Sequence, residues 1–170
     1  MRGALSGGDH PIIRMDHGVR QILLNSICRH PPELYAILAG SLSDPHRVTD
    51  CRPMPPMVGP DGRLNRGRGH VQLNAPFIEY YLNMELLPAN KYVLGVIHTH
   101  PSNLKNLTGG VAGSGQGDMP SIRAALQRAA EAQKNWKDFL APIITMDADA
   151  RSANIYGLDC PAGPASPYSC

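Results

Sequence analysis

The segment Gly95-Val96-Ile97-His98-Thr99-His100-Pro101 sets two histidines one residue apart at the end of an apolar run. On a strand, residues i and i+2 face the same way, so the two imidazoles would project side by side. Neutral imidazole nitrogen is a favoured zinc ligand. Pro101 would end the strand, and a loop of glycine, asparagine and serine then leads to Asp118 in Gly117-Asp118-Met119-Pro120. At a helix start, one carboxylate oxygen can cap the first turn while the other binds a metal. His98, His100 and Asp118 would supply three ligands and leave the fourth position to water, as catalytic zinc sites do. Glu33 opens a second apolar run, and a carboxylate at the edge of a core strand is expensive unless it is used or paired. It can serve as the general acid/base that a metal-activated water requires. Each residue also has an ordinary reading: surface histidines, a plain N-cap, and a solvated glutamate after Pro31-Pro32.

The elements that must position these groups follow from periodicity. Spacing predicts a helix over 15–30, with Asp16 as its cap and Val19, Ile22, Leu23 and Ile27 as its buried stripe. His30-Pro31-Pro32 would stop it. The run ELYAILAG over 33–40 reads as a buried strand. A second strand is expected over 47–57, a Gly- and Arg-rich loop over 59–69, and a short strand over 70–73. Phe77, Tyr80, Tyr81, Met84 and Leu87 predict a helix over 76–87, with Asn74 or Ala75 near its start. The apolar strand over 92–98 carries the first histidine. A helix over 118–137 has Ile122, Ala125, Leu126 and Ala129 on one face, with Trp136 as a packing anchor at its end. Two closing strands are expected over 141–146 and 153–158. The expected division is a flexible lead-in over 1–14, one domain over 15–159 and a proline-containing tail over 160–170.

Composition bounds the alternatives. At 170 residues the chain is too short for a (β/α)₈ barrel, which typically needs about 250. Hydrophobic residues are 42% and no apolar run approaches the roughly 18 residues of a spanning helix, so no membrane partner is expected. The formal charge of +2 does not point to nucleic acid, and Arg63, Arg66 and Arg68 among glycines read as a solvated loop. Cys28, Cys51, Cys160 and Cys170 form no C-x-x-C pair. With no apolar signal core near Met1, a cytoplasmic protein with free thiols is the simplest expectation.

These motifs together resemble the JAB/MPN domain of the JAMM metalloproteases. ELYAILAG is similar to the family's E-x-x-G-x-L-x-G strand, with Ala36 in place of the first glycine. His98-Thr99-His100-Pro101 matches H-[ST]-H-P. Gly117-Asp118-Met119-Pro120-Ser121-Ile122-Arg123 resembles the G-D-x-x-S-I-R helix start of some prokaryotic members. The resemblance implies an α/β fold, a single JAB/MPN-like domain with a central mixed β-sheet flanked by helices. It also implies one zinc ion on His98, His100 and Asp118. Glu33 would take a proton from water and hand it to the leaving amine. The implied reaction is hydrolysis of a peptide or isopeptide bond after the C-terminus of a ubiquitin-like protein. Such a protein or its conjugates would be the partner, with ubiquitin-activating or -conjugating enzyme homologues as further candidates. The extended substrate tail would lie as an added strand, in a groove shaped by 53–69 and 102–117.

The loop departs from the family pattern. The family spaces its ligands H-x7-S-x2-D, but the residue at the serine position is Thr108, and Asp118 lies ten positions further on. Thr108 with an expanded loop, or Ser114, would supply the hydroxyl that stabilises the oxyanion. Other H-x-H families fit less well. Cupins need a glutamate shortly after the second histidine, but the next is Glu131; zinc deaminases need H-x-E and P-C-x-x-C. The competing functional class is a non-catalytic MPN-type scaffold, whose members usually lose these ligands. Oligomeric state is open.

Overall fold

The computed structural model describes residues 13–28, 33–65, 73–100, 118–133, 138–146, 153–156 and 159–161. The protein is mixed α/β, with a mixed sheet flanked by helices. Its centre is a pair of antiparallel strands, β2 (Tyr35–Gly40) and β5 (Tyr92–His100). Every residue of β2 is buried, as are the last eight of β5. Near-continuous apolar runs are what strands covered on both faces require.

Around this pair the sheet has seven strands among the described residues. On one side β4 (Asp50–Pro53) pairs antiparallel with β2. On the other, β5 is flanked by two successive parallel pieces: β6 (Asp138–Leu140) beside Gly95, and β7 (Ile143–Met146) beside His98 to His100. A single strand over 141–146 was expected. Pro142 separates the two pieces because it has no N–H for the ladder, although its carbonyl accepts from His98 N at 3.3 Å. β8 (Ala153–Tyr156) pairs with β7, and β9 (Asp159–Pro161) with β6. The expected tail from Cys160 therefore begins inside a paired strand. At the other end, β1 (Arg14–Met15) pairs in parallel with β3 (Arg47–Val48).

β5 holds its place by two devices. Gly95 faces the Leu140 carbonyl so closely that a Cβ there would lie 2.0 Å from the oxygen. Only glycine admits that approach of β6. The β2–β5 register also shifts between Leu38 and Ala39, which pair with Gly95 and Val93, leaving Leu94 as an extra residue. Beside this bulge the buried Gln133 amide accepts from Val93 N and donates to Val93 O. Gln133 is the last residue of α3 (Asp118–Gln133), so its amide ties the helix's C-terminal end to the start of β5.

The first two helices depart from expectation at their ends and in part of one face each, whereas α3 buries Ile122 and Ala129 as expected. α1 spans His17–Ser26, shorter than 15–30, because Arg14 and Met15 are taken into the β1–β3 pair. Asp16 is the N-cap residue but makes no side-chain cap bond; its carboxylate pairs with Arg47 at 3.2 Å. Val19, Leu23 and Ile27 are buried, whereas Ile22 is 42% exposed. At 100° per residue, Ile22 lies about 100° from Leu23 at the centre of that stripe. The expected helix over 76–87 becomes α2 (Ala75–Tyr81), a π-turn (Leu82–Leu86) and a 3₁₀ turn (Leu87–Ala89). Asn74 caps it by accepting from Phe77 N at 3.2 Å. Its buried face is Ile78, Tyr81, Leu82 and Leu86, while Tyr80 and Met84 are 57% and 63% exposed. Of the expected stripe Tyr81 is buried and Phe77 and Leu87 pack partly buried against the core, whereas Tyr80 and Met84 turn outward and Ile78, Leu82 and Leu86 take the inward positions.

The strand expected over 47–57 is split into β3 and β4 and ends at Pro53. Among the described residues no helix is long and apolar enough to cross a membrane. The segment 66–72, Trp136 and the tail beyond Pro161 lie outside the described residues.

Candidate metal centre

β5, α3 and the β6–β7 edge form a β-α-β unit, whose strand ends and helix start adjoin. This topology brings the C-terminal end of β5 to the N-terminus of α3, the usual location of sites in parallel α/β units. His98 and His100 come from the strand end and Asp118 from the first helical position. β5 runs through His100, two residues past its expected end at His98, and this extension sets the two imidazoles on one face.

The three side chains converge. His98 Nε2 and His100 Nε2 are 2.8 Å apart. His98 Nε2 lies 3.3 Å from Asp118 Oδ1, and His100 Nε2 lies 3.0 Å from Asp118 Oδ2. Tetrahedral bonds of 2.0–2.1 Å place ligand atoms about 3.3–3.4 Å apart, so the observed spacing needs an adjustment of a few tenths of an ångström. His98, His100 and Asp118 are 0%, 2% and 8% exposed. Burial is the main cause that lowers the His98 pKa, against the opposing pull of Asp118, so this imidazole is neutral at pH 7. Two imidazoles with one carboxylate are a donor set that suits a divalent cation, and burying that carboxylate otherwise carries a large cost. The cluster can hold a metal ion.

Glu33 is brought to the same place by the start of β2. Leu34 N donates to Thr99 Oγ1 at 3.0 Å, and Thr99 N donates to Leu34 O at 3.1 Å. Thr99, the residue between the histidines, thereby anchors the chain beside Glu33. Glu33 is 5% exposed, and burial raises its carboxyl pKa from 4.5 to about 7. His100 opposes that rise and Asp118 adds to it, so Glu33 lies within electrostatic reach of both.

Two polar residues were not anticipated. Tyr35 stands directly opposite His98 in the β2–β5 register, and their rings stack with centroids 4.8 Å apart. Its hydroxyl donates to Asp118 Oδ1 at 3.4 Å. Burial and the adjoining carboxylates push the phenol pKa well up, so it stays protonated. Thr145 neighbours His100 in the β5–β7 register, fully buried, with no hydrogen-bond partner for its hydroxyl among the described residues. Period-two alternation alone would place both on the histidine face once strand pairing was known. Thr108 and Ser114, the two candidates for the oxyanion hydroxyl, lie outside the described residues. So do the whole loop expected to shape the groove, 102–117, and residues 66–69 of its other wall. In the described part of that wall Val58 pairs with Leu64 across a short bridge. No protein-family model matches this chain, and no curated protein matches it, so the functional reading rests on these residues and their geometry.

Proposed function

We propose that this chain is a zinc-dependent (iso)peptidase of the JAB/MPN (JAMM) kind, hydrolysing the bond after the C-terminus of a ubiquitin-like protein. One observation carries the reading: His98, His100 and Asp118 converge in a buried cluster, with the Glu33 carboxyl within electrostatic reach of His100 and Asp118. Zinc held there would polarise the scissile carbonyl and acidify a water molecule. Glu33, with a pKa near 7, is suited both to accept the proton from that water and to return it to the leaving amine at neutral pH. Asp118 and the two imidazoles present three donors, which leaves room for the reacting groups. The order of motifs along the chain, from the Glu33 strand to the H-x-H-P element and the Asp118 helix start, supports the same assignment.

The test combines metal content with hydrolysis. Purified protein is expected to carry about one zinc per chain, lost in His100→Ala and in Asp118→Ala. Glu33→Gln should keep the zinc yet cut a peptide ending in a ubiquitin-type tail about 10²–10⁴-fold more slowly. A protein that takes up no zinc would remove the metalloprotease reading. Zinc retained with no Glu33-dependent cleavage would leave the scaffold reading in its place.

A further inference from the structure

The geometry points to Tyr35 as a positioning residue of the centre: its ring orients His98, and its hydroxyl occupies one Asp118 oxygen so that the carboxylate binds a metal through the other. The inference rests on the metal-centre reading above. It is carried by three observations. Tyr35 and His98 are paired residues on adjacent strands, and their rings stack at an interplanar angle of 25°. His98 Nδ1 is buried and has no hydrogen-bond partner among the described residues. A metal-binding histidine is ordinarily oriented by a hydrogen bond on its second nitrogen. Among the described residues that bond is absent, and the flat contact with Tyr35 takes over the orienting role.

The third observation concerns Asp118. Both of its oxygens face imidazoles, Oδ1 at 3.3 Å from His98 Nε2 and Oδ2 at 3.0 Å from His100 Nε2. Either a one-oxygen or a two-oxygen mode is therefore within reach of the same side chain. Two-oxygen binding would fill the position that a water or a substrate carbonyl must use. The Tyr35 hydroxyl donates to Oδ1. That hydrogen bond favours Oδ2 as the ligand and keeps the fourth position open. The tyrosine thus acts on coordination number and ring orientation without touching a metal or a substrate itself.

Cobalt(II) is the probe, titrated into the chelator-stripped full chain against a competing chelator. The unmutated protein should bind about one ion and His100→Ala none. Tyr35→Phe keeps the stack and loses the hydroxyl. It should bind cobalt about tenfold more weakly, within the range for lost orienting contacts. Its visible absorption bands should also weaken, as Asp118 gains a second bond and the site leaves four-coordination. Tyr35→Leu also loses the stack and should bind about 100-fold more weakly. A purely structural role would lower the melting temperature and leave the cobalt bands unchanged. Where Tyr35→Phe does not fold, Tyr35→Met offers no donor either and carries the same expectation of weaker bands. Affinities within twofold and identical bands in the Tyr35 variants, with His100→Ala still abolishing uptake, would overturn this inference alone. No uptake by the unmutated protein would overturn the metal centre and this inference together.

Discussion

Glu33→Gln should stabilise the metal-free protein, and only above mildly acidic pH. The Glu33 carboxyl is buried, and its pKa rises from an ordinary 4.5 to about 7. Below pH 4.5 it holds its proton in both the folded and the unfolded chain, and its ionisation imposes no penalty. Between 4.5 and about 7 the unfolded chain releases that proton while the folded chain keeps it, so stability falls as pH rises. The fall is ~1.36 kcal/mol per pH unit, which reaches about 3 kcal/mol over this window and stays constant above it. Glutamine keeps the shape of the neutral acid and never ionises. In chelator-treated protein the variant and the parent should melt alike near pH 4.5. At pH 8 the variant should melt about 6–12 °C higher, since ~1 kcal/mol shifts a chain of this size by ~2–4 °C. Thermal melts followed by circular dichroism across pH 4.5–8 supply the comparison. Equal melting temperatures at pH 8, or an offset that does not change with pH, would refute the claim that burial holds this carboxyl in its protonated form. The same substitution should slow hydrolysis about 10²–10⁴-fold, so a gain in stability with a loss of activity would mark a residue kept for chemistry at the expense of the fold.

Two further predictions address the frame that carries the site. Gly95→Ala would place a Cβ 2.0 Å from the Leu140 oxygen, and urea unfolding should show a loss of more than ~3 kcal/mol or no folded protein. Leu23→Ala should cost about 2–5 kcal/mol in the same assay, while Ile22→Ser, on the exposed side of α1, should stay within ~0.5 kcal/mol.

Much of the site could be read from local sequence because its geometry is local. Two histidines one residue apart on an apolar strand share a face by the strand's own repeat, and this holds whatever the strand pairs with. Asn74 marks the start of α2, because a cap residue acts within a turn of where it stands, while the expected stop at His30-Pro31-Pro32 lies outside the described residues. Glu33 could be singled out because a carboxylate beside an apolar strand is costly in any fold.

Other features required the packed chain. Ile22 and Leu23 are adjacent and equally apolar, yet one is exposed and the other buried, because the sheet covers a single stripe of α1. The π-turn at Leu82–Leu86 and the choice of Ile78 over Tyr80 as an inward residue follow from neighbouring elements, not from helix periodicity. Asp118 lies 18 residues beyond His100, and nothing in that interval sets their distance; the β5–α3 packing, with Gln133 tied to Val93, brings them to 3.0 Å. Tyr35 belongs to the same class. It reads as one more core side chain in ELYAILAG, and the β2–β5 register is what sets it against His98 and Asp118. Periodicity assigns a side chain to a face of its own element, whereas contacts between elements depend on register and packing that local spacing does not encode.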